Sequence, residues 1–160
     1  ERSSRSTDLP APVVSRAAFA ACVRVLVEQS GGELPSAELD YFTDDDGRVG
    51  EDLLNRLAEA DILSGIADQR YRPDDPLVRG QMATVLVRSL EFLSGNDLAA
   101  NTDYFVDDSL SFHQANINRA AEAGVTWPGQ GGTFEPHGLV TRLEAATSLR
   151  RALELSQQGP

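Results

Sequence analysis

Apolar positions in residues 77–93 recur at helical spacing: Val78, Met82, Val85, Leu86, Leu90 and Leu93 follow the i, i+4, i+7, i+8 pattern of one buried helix face. The pattern returns 63 residues earlier at Phe19, Cys22, Val23, Val27 and Ser30, and 63 residues later at Ala145, Ser148, Leu149 and Leu153. Three long helices are predicted. Two of them are preceded by a shorter stripe, Leu54, Leu57, Ala58 and Ile62 in one copy and Ile117, Ala120, Ala121 and Val125 in the next. Gly47, Gly50, Gly65 and the run Pro128-Gly129-Gln130-Gly131-Gly132 punctuate the connections. Segments 31–39 and 94–102, rich in Gly, Ser, Asn and Ala, join one copy to the next. Period-two alternation never persists long enough for a sheet, so the predicted class is all-α.

The period is gapless and extends beyond the apolar positions. Arg16, Arg79 and Arg142 are spaced by it, as are Pro10, Pro73 and Pro136, and Glu28, Glu91 and Glu154. Such a repeat means one supersecondary unit is reused, each copy burying its apolar face against the next. A single domain over residues 1–160 is expected, with a partial first unit at 1–30 and full units at 40–93 and 103–156. The start of the third long helix is legible as a capping box, Thr141-Arg142-Leu143-Glu144. The first unit keeps only the cap, Ser15, and the second only the glutamine at N3, Gln81. Three long helices share only two short ones. The first long helix carries Phe19, Val23, Val25, Leu26 and Val27, so another domain or subunit is expected to cover residues 14–30. Cys22, on the apolar face, is expected to be a packed structural cysteine.

Composition then narrows the partners. A net charge of −11 and a pI near 4.5 argue against nucleic acid and anionic membrane surfaces. No apolar run approaches the ~18 residues of a membrane span. The single cysteine rules out an intrachain disulfide framework. Against this acidic background the recurring arginine stands out, because it occupies the first position of each predicted helix, where the macrodipole disfavours a cation. Free N–H groups beside a guanidinium form a carboxylate or phosphate site. The alternative is an internal partner, Asp44 or Asp107, from an adjacent unit. Trp127 lies opposite Ser64 in the repeat register and reads either as a groove-lining aromatic or as a packed one.

The clusters Asp44-Asp45-Asp46 and Asp107-Asp108 fail the EF-hand pattern: with Asp44 and Asp46 at positions 3 and 5, Phe42 and Leu53 fall at positions 1 and 12. They read as caps and solvated turns, with an irregular Ca²⁺ site as the alternative, and no metal site is assigned. His113 and His137 have no second ligand at zinc spacing. No nucleophile–base arrangement or singled-out carboxylate pair suggests catalysis, and no cofactor is implied.

The motif Gly132-Thr133-Phe134-Glu135-Pro136 followed by Val140-Thr141-Arg142-Leu143-Glu144 resembles the "DGTFRP…VTRAE" core of the S-layer homology (SLH) domain. The middle unit resembles the actinobacterial variety through Tyr41-Phe42-Thr43-Asp44-Asp45-Asp46-Gly47, Asn55-Arg56-Leu57-Ala58-Glu59-Ala60, Tyr71-Arg72-Pro73-Asp74 and Val78-Arg79-Gly80-Gln81-Met82-Ala83. The resemblance implies three motifs in pseudo-threefold arrangement, with the long helices as a central bundle and grooves between motifs. It implies a bacterial cell-surface module that binds an anionic, often pyruvylated, secondary cell-wall polysaccharide, with Arg16, Arg79 and Arg142 as contacting residues. The "TRAE" element is intact only at Thr141–Glu144; it reads Ser-Arg-Ala-Ala in the first unit and Val-Arg-Gly-Gln in the second. The cysteine pair of actinobacterial relatives would fall at Ile66 and Arg72 and is absent. The expected function is an extracellular, non-catalytic anchor in which Arg142, beside its intact capping box, contributes most. The alternative is a protein–protein assembly module of a larger extracellular protein, its polysaccharide site decayed.

Overall fold

The computed structural model describes residues 11–158, in which five helices follow one another: α1 (Arg16–Gln29), α2 (Glu51–Glu59), α3 (Arg79–Ser94), α4 (Gln114–Glu122) and α5 (Arg142–Gln157). Single 3₁₀ turns stand at Ala67–Gln69 and Gln130–Gly132. Among the described residues no sheet forms, and β-type pairing is confined to isolated bridges. The chain is all-α, as its periodicity predicts.

The three long helices begin where their caps require. The Ser15 hydroxyl accepts the amide of Ala18 at 3.1 Å, and the Gln81 side chain accepts the amide of Val78 at 3.2 Å. Thr141 and Glu144 complete both halves of the box, at 3.2 Å from the Glu144 amide to the hydroxyl and 2.9 Å from the Thr141 amide to the carboxylate. At its far end α3 stops on Gly95, whose positive φ of 68° suits a residue without a side chain.

Helices α1, α3 and α5 pack against one another, α2 packs on α1, and α4 packs on α3. Each short helix therefore covers the long helix of the preceding unit. This corrects the expectation of an uncovered α1: Phe19, Val23, Leu26 and Val27 are buried within the chain, and only Val25 of the apolar set is exposed. The ground for a covering partner at residues 14–30 is thereby removed. The long helix without a short one, among the described residues, is α5. Gly80 shows how close the α3–α4 approach is, since a Cβ there would lie 2.9 Å from the His113 ring. The same register position in α5 is Leu143, 77% exposed.

Cys22 is exposed, which corrects its assignment to the core. Its register partners Val85 and Ser148 face clefts lined by residues 63–71 and 126–134 respectively. The segment in register with these for Cys22 falls almost wholly in residues 1–10, outside the described residues.

Backbone hydrogen bonds tie the segments that precede the long helices into a cycle. The amide of Val14 donates to Val140 (3.0 Å), that of Val140 to Leu77 (3.0 Å), and that of Leu77 to Val14 (2.8 Å). A second tier repeats it one turn on: Arg16 to Asp75, Arg79 to Gly138 and Arg142 to Pro12. Each long helix thus starts against the loop of another unit, and residues 12–14 are joined to 140–142.

Candidate functional site

The second tier has a direct chemical consequence. The N1 amides of all three long helices already have carbonyl partners, as do the next amides of α1 and α3, through Ala17 to Pro73 and Gly80 to Pro136. Those five amides are therefore not available to an anion. What remains is the guanidinium.

Two of the three arginines are held in the same way. Arg16 Nε donates to the carbonyl of Tyr71 at 2.7 Å, and its guanidinium lies 4.4 Å from the Tyr71 ring centroid. Arg79 Nε donates to the carbonyl of Phe134 at 2.6 Å, 4.9 Å from that ring. The aromatic loops are themselves clamped by carboxylates. Asp44 accepts the amides of Tyr71 and Arg72, both at 2.8 Å. Asp107 accepts those of Phe134 and Glu135 at 2.7 and 2.8 Å. These bonds fix Arg72 and Glu135 at φ of 55° and 59°, a region costly for residues with a Cβ. Burial pushes both carboxyls up, but the amide bonds outweigh it and hold them below the usual carboxylate range. Asp44 and Asp107 thus position the arginines' platforms, and neither forms an ion pair with Arg16 or Arg79.

The grooves then diverge. At Arg16 there is an open pocket of about 100 Å³, lined among others by Ser64, Gln81, Thr84, Arg88 and His113. No Asp or Glu lines it. Arg88 donates to Ser64 Oγ at 3.0 Å, and the terminal nitrogens of Arg16 have no hydrogen-bond partner among the described residues. At Arg79 the register positions of Gln81 and Ser64 are Glu144 and Trp127. Glu144 accepts from Arg79 at 2.8 Å, and the Trp127 carbonyl takes the remaining nitrogen at 3.4 Å. Arg151, in register with Arg88, stacks 4.5 Å from the Trp127 ring centroid. This cleft has no room for a water molecule. At the third position Arg142 is exposed, with no side-chain partner among the described residues. The loop that would carry its platform corresponds in register to residue 8, outside the described residues.

Sequence reasoning missed Arg88, Thr84 and His113. Arg88 was detectable in the repeat, because Arg88 and Arg151 share a register and face Ser64 and Trp127. His113 Nδ1 lies 2.8 Å from Thr84 Oγ1. Burial, then the charges of Arg88 and Arg16, lower its pKa from the ordinary 6.5. A base with a lowered folded pKa binds fewer protons folded than unfolded. Its contribution to stability is complete above pH 6.5 and is lost as the pH falls through that value toward the folded pKa. Urea midpoints at pH 7.5 and 5.5 should therefore fall more for the wild type than for His113→Gln; equal falls would show that His113 carries no such penalty.

No described helix is long and apolar enough to cross a membrane. Compared with known proteins, the chain matches the model of the S-layer homology domain over residues 42–83 and 107–146. It is similar to the S-layer protein sap of Bacillus anthracis, 27% identical over 139 residues, or 87% of this chain and 16% of that protein. It is also similar to the exoglucanase XynX of Acetivibrio thermocellus, 28% identical over 154 residues, or 92% of this chain and 13% of that protein. The chain thus spans less than a fifth of the length of either curated relative.

Proposed function

Because this chain belongs to the S-layer homology domain family, we propose that it is a non-catalytic cell-surface anchor that binds an anionic cell-wall polysaccharide in the groove at Arg16. Modules of this family anchor proteins to the cell surface through cell-wall polymers. Two similar proteins, an S-layer protein and an exoglucanase, are named as a surface component and an enzyme much longer than this chain. The location that follows is the wall or surface of a bacterium. Within the family, the middle unit's Tyr-Phe-Thr-Asp-Asp-Asp-Gly run supports the actinobacterial variety.

The domain reading is one unit over residues 1–160, made of motifs at 1–30, 40–93 and 103–156 in pseudo-threefold arrangement around α1, α3 and α5. Its support is the closed cycle of Val14, Leu77 and Val140, spaced by the sequence period.

The observation that carries the binding reading is a pocket with two arginines and no acidic residue on a chain of net charge −11. Local positive potential in the pocket selects carboxylate groups on a polymer, while the acidic surface elsewhere on the protein repels them. Arg79 and Trp127 serve here as an internal ion pair and plug between motifs, and Arg142 as a peripheral contact. Co-sedimentation with purified sacculi tests the anchor: binding should be present with intact sacculi and lost once the secondary polymer is extracted.

A second reading rests on a separate observation. Val106, Leu110 and Phe112, in the loop before α4, are 80, 98 and 105% exposed. An apolar loop of this kind favours a protein-assembly role, and sedimentation that survives polymer extraction would support it.

A further inference from the structure

Four side chains at the junction of α3 and α4 form a hydrogen-bonded relay that ends in the lining of the Arg16 pocket. Arg119 donates to Asn116 Oδ1 at 3.1 Å, which fixes the orientation of that amide. Asn116 Nδ2 in turn donates to Thr84 Oγ1 at 3.3 Å. The Thr84 hydroxyl is left with its own proton to place, and the one acceptor it has among the described residues is His113 Nδ1, 2.8 Å away. A neutral imidazole that accepts at Nδ1 carries its proton on Nε2. Nε2 has no hydrogen-bond partner among the described residues, and it is not one of the unpaired polar atoms sealed from solvent. His113 itself is half-buried and lines the pocket with Arg16 and Arg88.

The fold does not need this relay. One period earlier, where α2 packs on α1, the positions of Gly80, Thr84, His113 and Asn116 are held by Ala17, Ala21, Gly50 and Leu53. The helices meet there without ring, hydroxyl or amide. Gly80 belongs to the same set, since a Cβ there would lie 2.9 Å from His113 Cδ2. Ala17 can carry one because Gly50 puts no ring in register with His113. Polar groups that cost desolvation when buried, and that the equivalent junction lacks, are explained by what the ring does in the pocket rather than by packing.

We propose that His113 is a ligand-contacting residue of the groove at Arg16, its Nε2–H serving beside the two guanidiniums as a third donor to a carboxylate of the bound polymer; this rests on the reading of that groove as the polymer site. The three donors come from three units, Arg16 from the first, Arg88 from the second and His113 from the third, so one bound carboxylate bridges all of them. Thr84, Asn116 and Gly80 are positioning residues that hold the ring. At neutral pH the imidazole is uncharged. Burial, then the charges of Arg88, Arg16 and His137, lower its pKa from 6.5, and no acidic residue lines the pocket to oppose them. A carboxylate seated beside the ring reverses that balance: it favours the imidazolium and so binds more tightly as the pH falls.

Titration of the purified, solubilised wall polymer into the whole chain at pH 7.5 and 5.5 tests this. Carboxylates with an ordinary pKa near ~4 stay ionised over that range. Wild-type affinity should rise at least about threefold on going to pH 5.5, as the bound anion raises the imidazole pKa. His113→Phe keeps the bulk of the ring and removes the donor, so it should bind about fivefold more weakly at pH 7.5. Its affinity should not rise at pH 5.5. His113→Gln retains a neutral donor, so it should lose less at pH 7.5 and likewise show no rise. His137→Gln, at an exposed histidine outside the pocket, should keep the wild-type pH dependence. Imidazole ¹⁵N spectra of the free chain at pH 7.5 should place the His113 proton on Nε2. A proton on Nδ1, or a folded His113→Phe variant that binds as tightly as the wild type at both pH values, would overturn the inference and leave the groove reading standing. A wild type that binds no polymer would overturn both.

Discussion

Replacing Phe134 with alanine should cost the domain about 3–5 kcal/mol, the range for truncating a buried aromatic. Phe134 is 1% exposed, packs on Phe105 with ring centroids 5.0 Å apart, and lies under the Arg79 guanidinium. Its backbone is equally engaged, through its amide on Asp107 and its carbonyl on Arg79. Truncation therefore opens a cavity beneath the Arg79–Glu144 ion pair and removes the ring that orients it. Since net stabilities of domains run at about 5–15 kcal/mol, a loss of this size is a large fraction of the whole. Urea denaturation is the measurement. A loss below about 1 kcal/mol would mean that the 130–136 loop is not part of the core.

The helices and their caps were legible because the physics that makes them is local. Apolar spacing of 3.6 residues marks a buried face whatever it packs on, and Thr141-x-x-Glu144 satisfies its own amides without outside help. The repeat made the register readable as well, which is why Arg16, Arg79 and Arg142 were found on equal footing. What the sequence could not convey is which unit each long helix meets. The short helices pack on the preceding unit's long helix, so the long helix without one, among the described residues, is α5 rather than α1.

The roles of Asp44 and Asp107 were hidden for the same reason. Charge complementarity pointed to the arginines, whereas the folded loops bring backbone amides closer and in pairs. The difference among the grooves depends on residues distant in sequence. Gln81 and Ser64 at one junction become Glu144 and Trp127 at the next, and two substitutions turn an open cationic pocket into a filled ion pair. That comparison shifts the proposed binding contact from Arg142 to Arg16.

Arg16→Gln should accordingly weaken binding of the cell-wall polymer by about thirtyfold or more, near 2 kcal/mol, the scale of a lost hydrogen bond to a charged group. Arg16 is nearly buried and its Nε holds the Tyr71 carbonyl, so the variant should also lose some stability. Arg88→Gln separates the two effects. Arg88 lines the same pocket from a half-buried position, so its loss should weaken binding with little change in Tm. The most direct measurement is a titration of the purified, solubilised wall polymer into wild type, Arg16→Gln, Arg88→Gln and Arg142→Gln, repeated with polymer whose carboxylates have been converted to amides. The account predicts that affinity falls steeply for Arg16→Gln, measurably for Arg88→Gln and by less than about twofold for Arg142→Gln, and that the amidated polymer does not bind. Equal affinity for amidated and native polymer, or a greater loss for Arg142→Gln than for Arg16→Gln, would contradict it.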